Sequence, residues 1–152
     1  MKKSILLVLA ISFSTLSFGQ NFKDFLEVQS SALKTEKKAL VTQVMNFTEE
    51  ESKVFWPLYN EFQTKLGELN QQRFELIVQY AENFDSLTSD MAVNLMSENL
   101  KIKEEMAHLD KKYFKKFEKI LEPKRAVKYF QVELDIQLAV NGQLAQVLPF
   151  VE

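Results

Sequence analysis

Chemistry on this chain would have to start from a few side chains. His108 is the only histidine. Glu104 lies four residues before it and Glu105 three before, so on a helix the three share one face. A Glu-x-x-x-His pair offers two ligands to zinc or copper, and two copies of the chain would offer four. The same spacing also describes a surface histidine beside its i, i+4 acids, and zinc and copper sites usually gather several histidines or cysteines. Met45, Met91, Met96 and Met106 carry soft thioethers suited to copper(I), but three of them recur at helix-like spacing, the pattern of core packing. The chain has no cysteine. That removes thiol nucleophiles, thiolate metal sites and disulfides. No glycine-rich loop is present to cradle phosphate, and no serine or cysteine nucleophile context surrounds His108. Trp56 beside Pro57 suits a ligand cleft, or an aromatic buried at a helix kink; the residues favour the kink. The expectation is a protein that is not an enzyme and needs no cofactor, with zinc or copper at His108 and Glu104 as the minor alternative.

The strongest charge feature is KKYFKKFEKILEPKRAVKYF, residues 111–130. Lys111, Lys112, Lys115, Lys116, Lys119, Lys124, Arg125 and Lys128 form a basic band. Residues 101–128 hold 10 basic and 5 acidic side chains, whereas residues 20–100 hold 7 and 13, and residues 129–152 hold 0 and 3. A basic band between acidic flanks suits self-association or capture of an acidic partner or an anionic membrane face. It also suits a solvated helix face with local ion pairs. Its aromatic interleaving resembles a nucleic-acid surface, but the N-terminus argues against that partner.

Lys2 and Lys3 precede an apolar run, Ile5 to Phe13, and Ser17-Phe18-Gly19 offers small residues for cleavage. This is the pattern of a signal peptide over residues 1–19, followed by one domain over residues 20–152. The run is too short to span a bilayer comfortably. An exported chain meets no genomic DNA, so the expected location is the periplasm and nucleic acid is not an expected partner.

Glycine and proline are scarce, and Glu, Lys, Leu and Gln are frequent, which predicts an all-α fold. A first helical segment runs from about Asp24 to Met45, with Leu33, Leu40, Val41 and Val44 inside and Lys34, Glu36, Lys37 and Lys38 outside. Thr48 with Glu51 three residues later reads as a capping box, opening a helix to about Asn83 with Pro57 inside it. Thr88 caps a third segment, whose inward stripe is Met91, Leu95, Ile102, Met106, Leu109, Tyr113, Phe117 and Ile120. Pro123 opens a fourth, expected to stop near Asn141 at Gly142, with an extended apolar tail over about 143–152. Val132, Leu134, Ile136 and Leu138 also alternate with period two, so a strand competes there. Two helices of about 35 residues span about 50 Å each. The expected shape is an elongated hairpin of two long antiparallel helices flanked by shorter ones. Segment four is apolar on two faces, which calls for a homodimer or a groove for apolar clients.

The exported leader, the helix starts Phe47-Thr48 and Leu87-Thr88, and the long charged helices resemble the Spy/CpxP-like periplasmic family with its LTxxQ signature. FTEEESKVFWPLYNEF, LEPKRAVKYFQVELDIQLAV and LAQVLPFV carry the resemblance over nearly the whole mature chain. The signature glutamine is replaced by Glu51 in the first copy and Met91 in the second. The resemblance implies an antiparallel dimer of helical hairpins with a concave cradle. It implies a chaperone or envelope-stress adaptor that holds unfolded or envelope proteins, with metal-sensing and metal-resistance relatives. A purely structural envelope component is the third reading.

Overall fold

Two threonine caps lay out the fold. Thr48 is extended, and its Oγ1 accepts the Glu51 amide at 3.2 Å while Glu51 Oε2 accepts the Thr48 amide at 2.9 Å. This reciprocal box opens α2, Glu49–Asn83, and Glu49, Glu50 and Glu51 face its positive end. A short 3₁₀ turn, Phe84–Ser86, leads to Thr88, whose Oγ1 accepts the Met91 amide at 3.3 Å and opens α3, Ser89–Ile120. Met91 has no acceptor to return, so the second box is half made. Pro123 stands in the first turn of α4, Pro123–Val147, where its missing N–H is no loss. Ahead of these, residues 36–45 form α1. It stops at Asn46, which takes a left-handed φ of 44°. The structure, a computed structural model, describes residues 36–148 and 150–151. The signal-peptide stretch, Leu33 and Lys34 lie outside the described residues. Among those described there is no strand, and no helix is long and apolar enough to cross a membrane.

The core is aromatic. Phe55 of α2 meets Phe117 of α3 at 5.3 Å between centroids, and Phe62 meets Tyr113 at 5.0 Å. Contacts advance along α2 as they retreat along α3, so the two long helices form a hairpin. From α4, Tyr129 stands edge-on to Phe55 at 4.9 Å and touches Phe117 at 4.7 Å. Val41 and Met45 of α1 close the same cluster. Each buried aromatic contributes about 2–3 kcal/mol of apolar burial, and each well-placed ring pair about 0.5–1.5 kcal/mol more. The alternation of lysine and aromatic in 111–130 is thereby explained: Tyr113, Phe117 and Tyr129 are buried, and most of the intervening lysines are exposed.

Several expectations need correction. The fourth helix does not stop at Gly142 but runs to Val147, so residues 143–147 of the expected extended tail are helical. Gly142 has no positive φ. Leu144 and Leu148, one turn apart, pack on Val78 with Phe74, Ile77 and Ala81. That burial outweighs the roughly 1 kcal/mol helix penalty of one glycine. Beyond the helix Phe150 is 93% exposed. Met91 and Leu40 lie exposed rather than inward. Lys37 turns inward instead of outward, for a reason given below. Phe47 does more than precede a cap: it packs on Phe55 at 4.2 Å and on Trp56 at 6.0 Å. α2 continues through Pro57, with Pro57 and Lys53 both exposed, so water can serve the Lys53 carbonyl that loses its donor.

Candidate functional site

Two open depressions lie one after the other on one side of the seam between α2 and α3, lined by residues at three- and four-residue steps. The one towards the capped end is lined by Val54, Pro57, Leu58 and Ile120, with Glu61, Lys116 and Lys119. The other is lined by Leu69 and Leu109 with Lys65, Glu68, Glu105, His108 and Lys112. The pattern is an apolar floor with a charged rim, basic towards the capped end and mixed beyond. Val93, Met96 and Leu100 of α3 are exposed as well, on a face of the helix turned away from the side of His108 and Lys112. Tyr113 donates to Glu61 Oε1 at 2.6 Å, and Lys116 donates to the same oxygen at 3.0 Å. Those two bonds hold the Glu61 carboxyl below its usual range. Burial, then Glu61, pushes the Tyr113 phenol up to about 12.

The structure divides the basic band in two. Arg125 and Lys128 are structural clamps on the end of α1. Arg125 Nη2 donates to the Met45 carbonyl and to Glu51 Oε2, both at 2.9 Å, and its Nε pairs with Glu51 Oε1. Lys128 Nζ donates to the Val44 carbonyl at 2.6 Å. The last carbonyls of a helix lack intrahelical partners and sit at its negative end, so two cations there satisfy both needs. Arg125 thereby ties the end of α1 to the capping box of α2. Lys116 is held at Glu61 and lies over the Tyr113 ring at 4.5 Å. Lys111, Lys112, Lys115, Lys119 and Lys124 are exposed, and no ion pair holds them among the described residues.

Sequence reasoning missed a buried polar cluster where four helices meet. Glu133 is 1% exposed. Its Oε1 accepts from Tyr129 at 2.8 Å and from Gln63 Nε2 at 2.9 Å, and its Oε2 pairs with Lys37 Nζ at 2.5 Å. Lys37 is therefore drawn in from α1, its side chain 11% exposed. Half-buried Asp110 of α3 adds a second carboxyl, pushed up to about 6 by burial and then by Glu133, against the pull of Lys37. Burial and Glu133 likewise raise the Tyr59 and Tyr129 phenols. The available signal was Glu133 itself: it shares a helix face with Tyr129, Ile136 and Val140, all apolar or aromatic. Which residue would neutralise it was not legible, because Lys37 lies 96 positions away in the chain.

The remaining sites named from sequence fare unequally. His108 Nε2 and Glu104 Oε1 are 3.6 Å apart and both side chains are about three-quarters exposed. Among the described residues no group of three or more His, Asp or Glu side chains is placed to hold a metal ion. Trp56 is half-buried, edge-on to Phe55 and Tyr59, with Lys38 over its ring at 5.1 Å. It is part of the aromatic core rather than the wall of a separate cleft. Compared with known proteins, the chain matches no family model, no characterised relative and no solved structure, so its functional reading rests on the geometry above.

Proposed function

We propose that the protein is an exported, non-enzymatic binding protein of the periplasm, a homodimeric chaperone or envelope-stress adaptor that holds unfolded or envelope proteins along its helical hairpin. The observation that carries this reading is the pairing of spare charge with partly exposed apolar side chains on one side of one seam. Lys119 stands at a depression lined by exposed Val54 and half-buried Leu58 and Ile120, and Lys112 at one lined by half-buried Leu69 and Leu109. Such a surface attracts an acidic or partly unfolded chain at long range and then holds it by weak, exchanging apolar contact. The leader pattern of Lys2, Lys3 and Ile5 to Phe13 supports export.

The test is suppression of client aggregation, at low and high salt, with a metal-free control. The division of the basic band dictates the variant: Lys111, Lys112, Lys115 and Lys119 are replaced together by Gln, leaving Arg125 and Lys128 in place. Expected is suppression near one dimer per client, weakened by salt and weakened by the variant with no loss of melting temperature. No suppression at large excess removes the reading. Suppression indifferent to both salt and the four substitutions removes the electrostatic step.

A further inference from the structure

The outer face of α4 carries a row of uncharged side chains that no other described residue buries. Val127, Gln131, Leu134, Leu138, Asn141 and Ala145 follow one another at alternating steps of four and three, which places them in one row along a single helix face, as the seam positions of paired helices are placed. All six are exposed, Leu134 at 51% and Leu138 at 69%. The opposite face, through Ala126, Tyr129, Val132 and Glu133, is the one buried on the hairpin. None of the six carries a charge. Read in either direction, the row gives apolar, amide, leucine, leucine, amide, apolar. A row that reads alike both ways is complementary to its own reverse, the property a two-fold interface demands.

We propose that the occupant of this face is a second copy of the chain, its α4 lying against the first and running in the opposite direction. This deepens the homodimer part of the reading above and rests on it. In that register Leu134 meets Leu138 of the other copy, Gln131 meets Asn141, and Val127 meets the small Ala145. The two amides of each pair satisfy one another. Charge selects the direction. Exposed Lys124 sits in the first turn of α4, the positive end of its dipole, whereas Arg125 and Lys128 are turned to the end of α1, and the last turn of α4 has no basic residue. A parallel copy would set Lys124 beside Lys124. A reversed copy brings the negative, base-free C-terminal end of one α4 beside exposed Lys124 of the other.

The test uses the whole chain with Val127→Cys and Ala145→Cys together. The protein has no cysteine of its own. Within one copy the two positions are 18 residues apart along a helix, about 27 Å, beyond the roughly 7 Å limit for a disulfide. Any bond formed on oxidation therefore joins two copies. Expected is a covalent dimer from the double variant and none from either single variant. Leu138→Lys alone, at an exposed position, should leave the helical signal and melting temperature unchanged and weaken dimerisation on the order of 100-fold, as two leucine contacts are lost. Leu134→Glu added to Leu138→Lys sets opposite charges across the axis and should restore the dimer. A chain that stays monomeric at all concentrations overturns the proposal, as does cross-linking by Val127→Cys alone, which would mean parallel packing. A dimer untouched by Leu138→Lys overturns it too. If Leu138→Lys abolishes client holding by an already monomeric chain, the row is a client surface instead. Mass and cross-linking are read without client, so failure here stands apart from failure of the chaperone reading.

Discussion

Replacing Asp110 by Asn should stabilise the protein at neutral pH and do little in acid. The Asp110 carboxyl is pushed from 3.8 to about 6, first by burial and then by Glu133. Its Oδ1 is buried and accepts no hydrogen bond from the described residues. The folded protein thus holds this proton more tightly than the unfolded chain does. Its contribution to stability is fully present below the unfolded value near 4 and is lost as pH rises through about 6. A rise of roughly 2 units corresponds to about 3 kcal/mol at full effect. Asp110 is only half-buried, and solvent screening reduces that to about 1–2 kcal/mol. Asp110→Asn removes the ionisation and keeps the shape. Urea unfolding of both proteins from pH 4 to pH 8 isolates the effect, because every other carboxyl titrates in both. The variant should be more stable by about 1–2 kcal/mol at pH 8, with the difference closing towards pH 4. In thermal melts at pH 8 the gain should be about 3–8 °C. A difference that does not change across this range, or a variant less stable at pH 8, would refute the reasoning.

Three other outcomes follow from the packing. Lys37→Met strands the Glu133 carboxylate and should cost about 3–5 kcal/mol, while Lys37→Met with Glu133→Leu should recover most of the loss; a double-mutant cycle in urea reads the coupling. Arg125→Ala should cost about 2–3 kcal/mol, since Arg125 bridges the Met45 carbonyl and the Glu51 carboxylate, whereas exposed Lys124→Ala should stay within about 0.5 kcal/mol in the same assay. Phe55→Ala, in the middle of the aromatic cluster, should cost about 3–5 kcal/mol and broaden the near-ultraviolet aromatic signal, against about 1 kcal/mol for loss of the Thr48 cap in Thr48→Ala.

By itself the sequence determined what is local. Thr48 with Glu51, and Thr88 alone, announce two helix starts because the cap bonds span only three residues. The steps of three and four through Phe55, Tyr59, Phe62 and Leu66 declare a buried stripe, since a helix repeats every 3.6 residues. Scarcity of glycine and proline declares the all-α class. Only the tertiary structure decided what depends on distant partners. Gly142 stops nothing because Leu144 and Leu148 find Val78 on another helix. Arg125 and Lys128 belong to a clamp, and Lys111 and Lys112 to a free face, because the carbonyls of Val44 and Met45 end a helix beside the first pair alone. Lys37 looks like any surface lysine until the fold sets Glu133 against it. Local hydrogen bonds and periodicity are written in neighbouring residues; compensation of a buried charge is written in whichever helix the fold brings alongside.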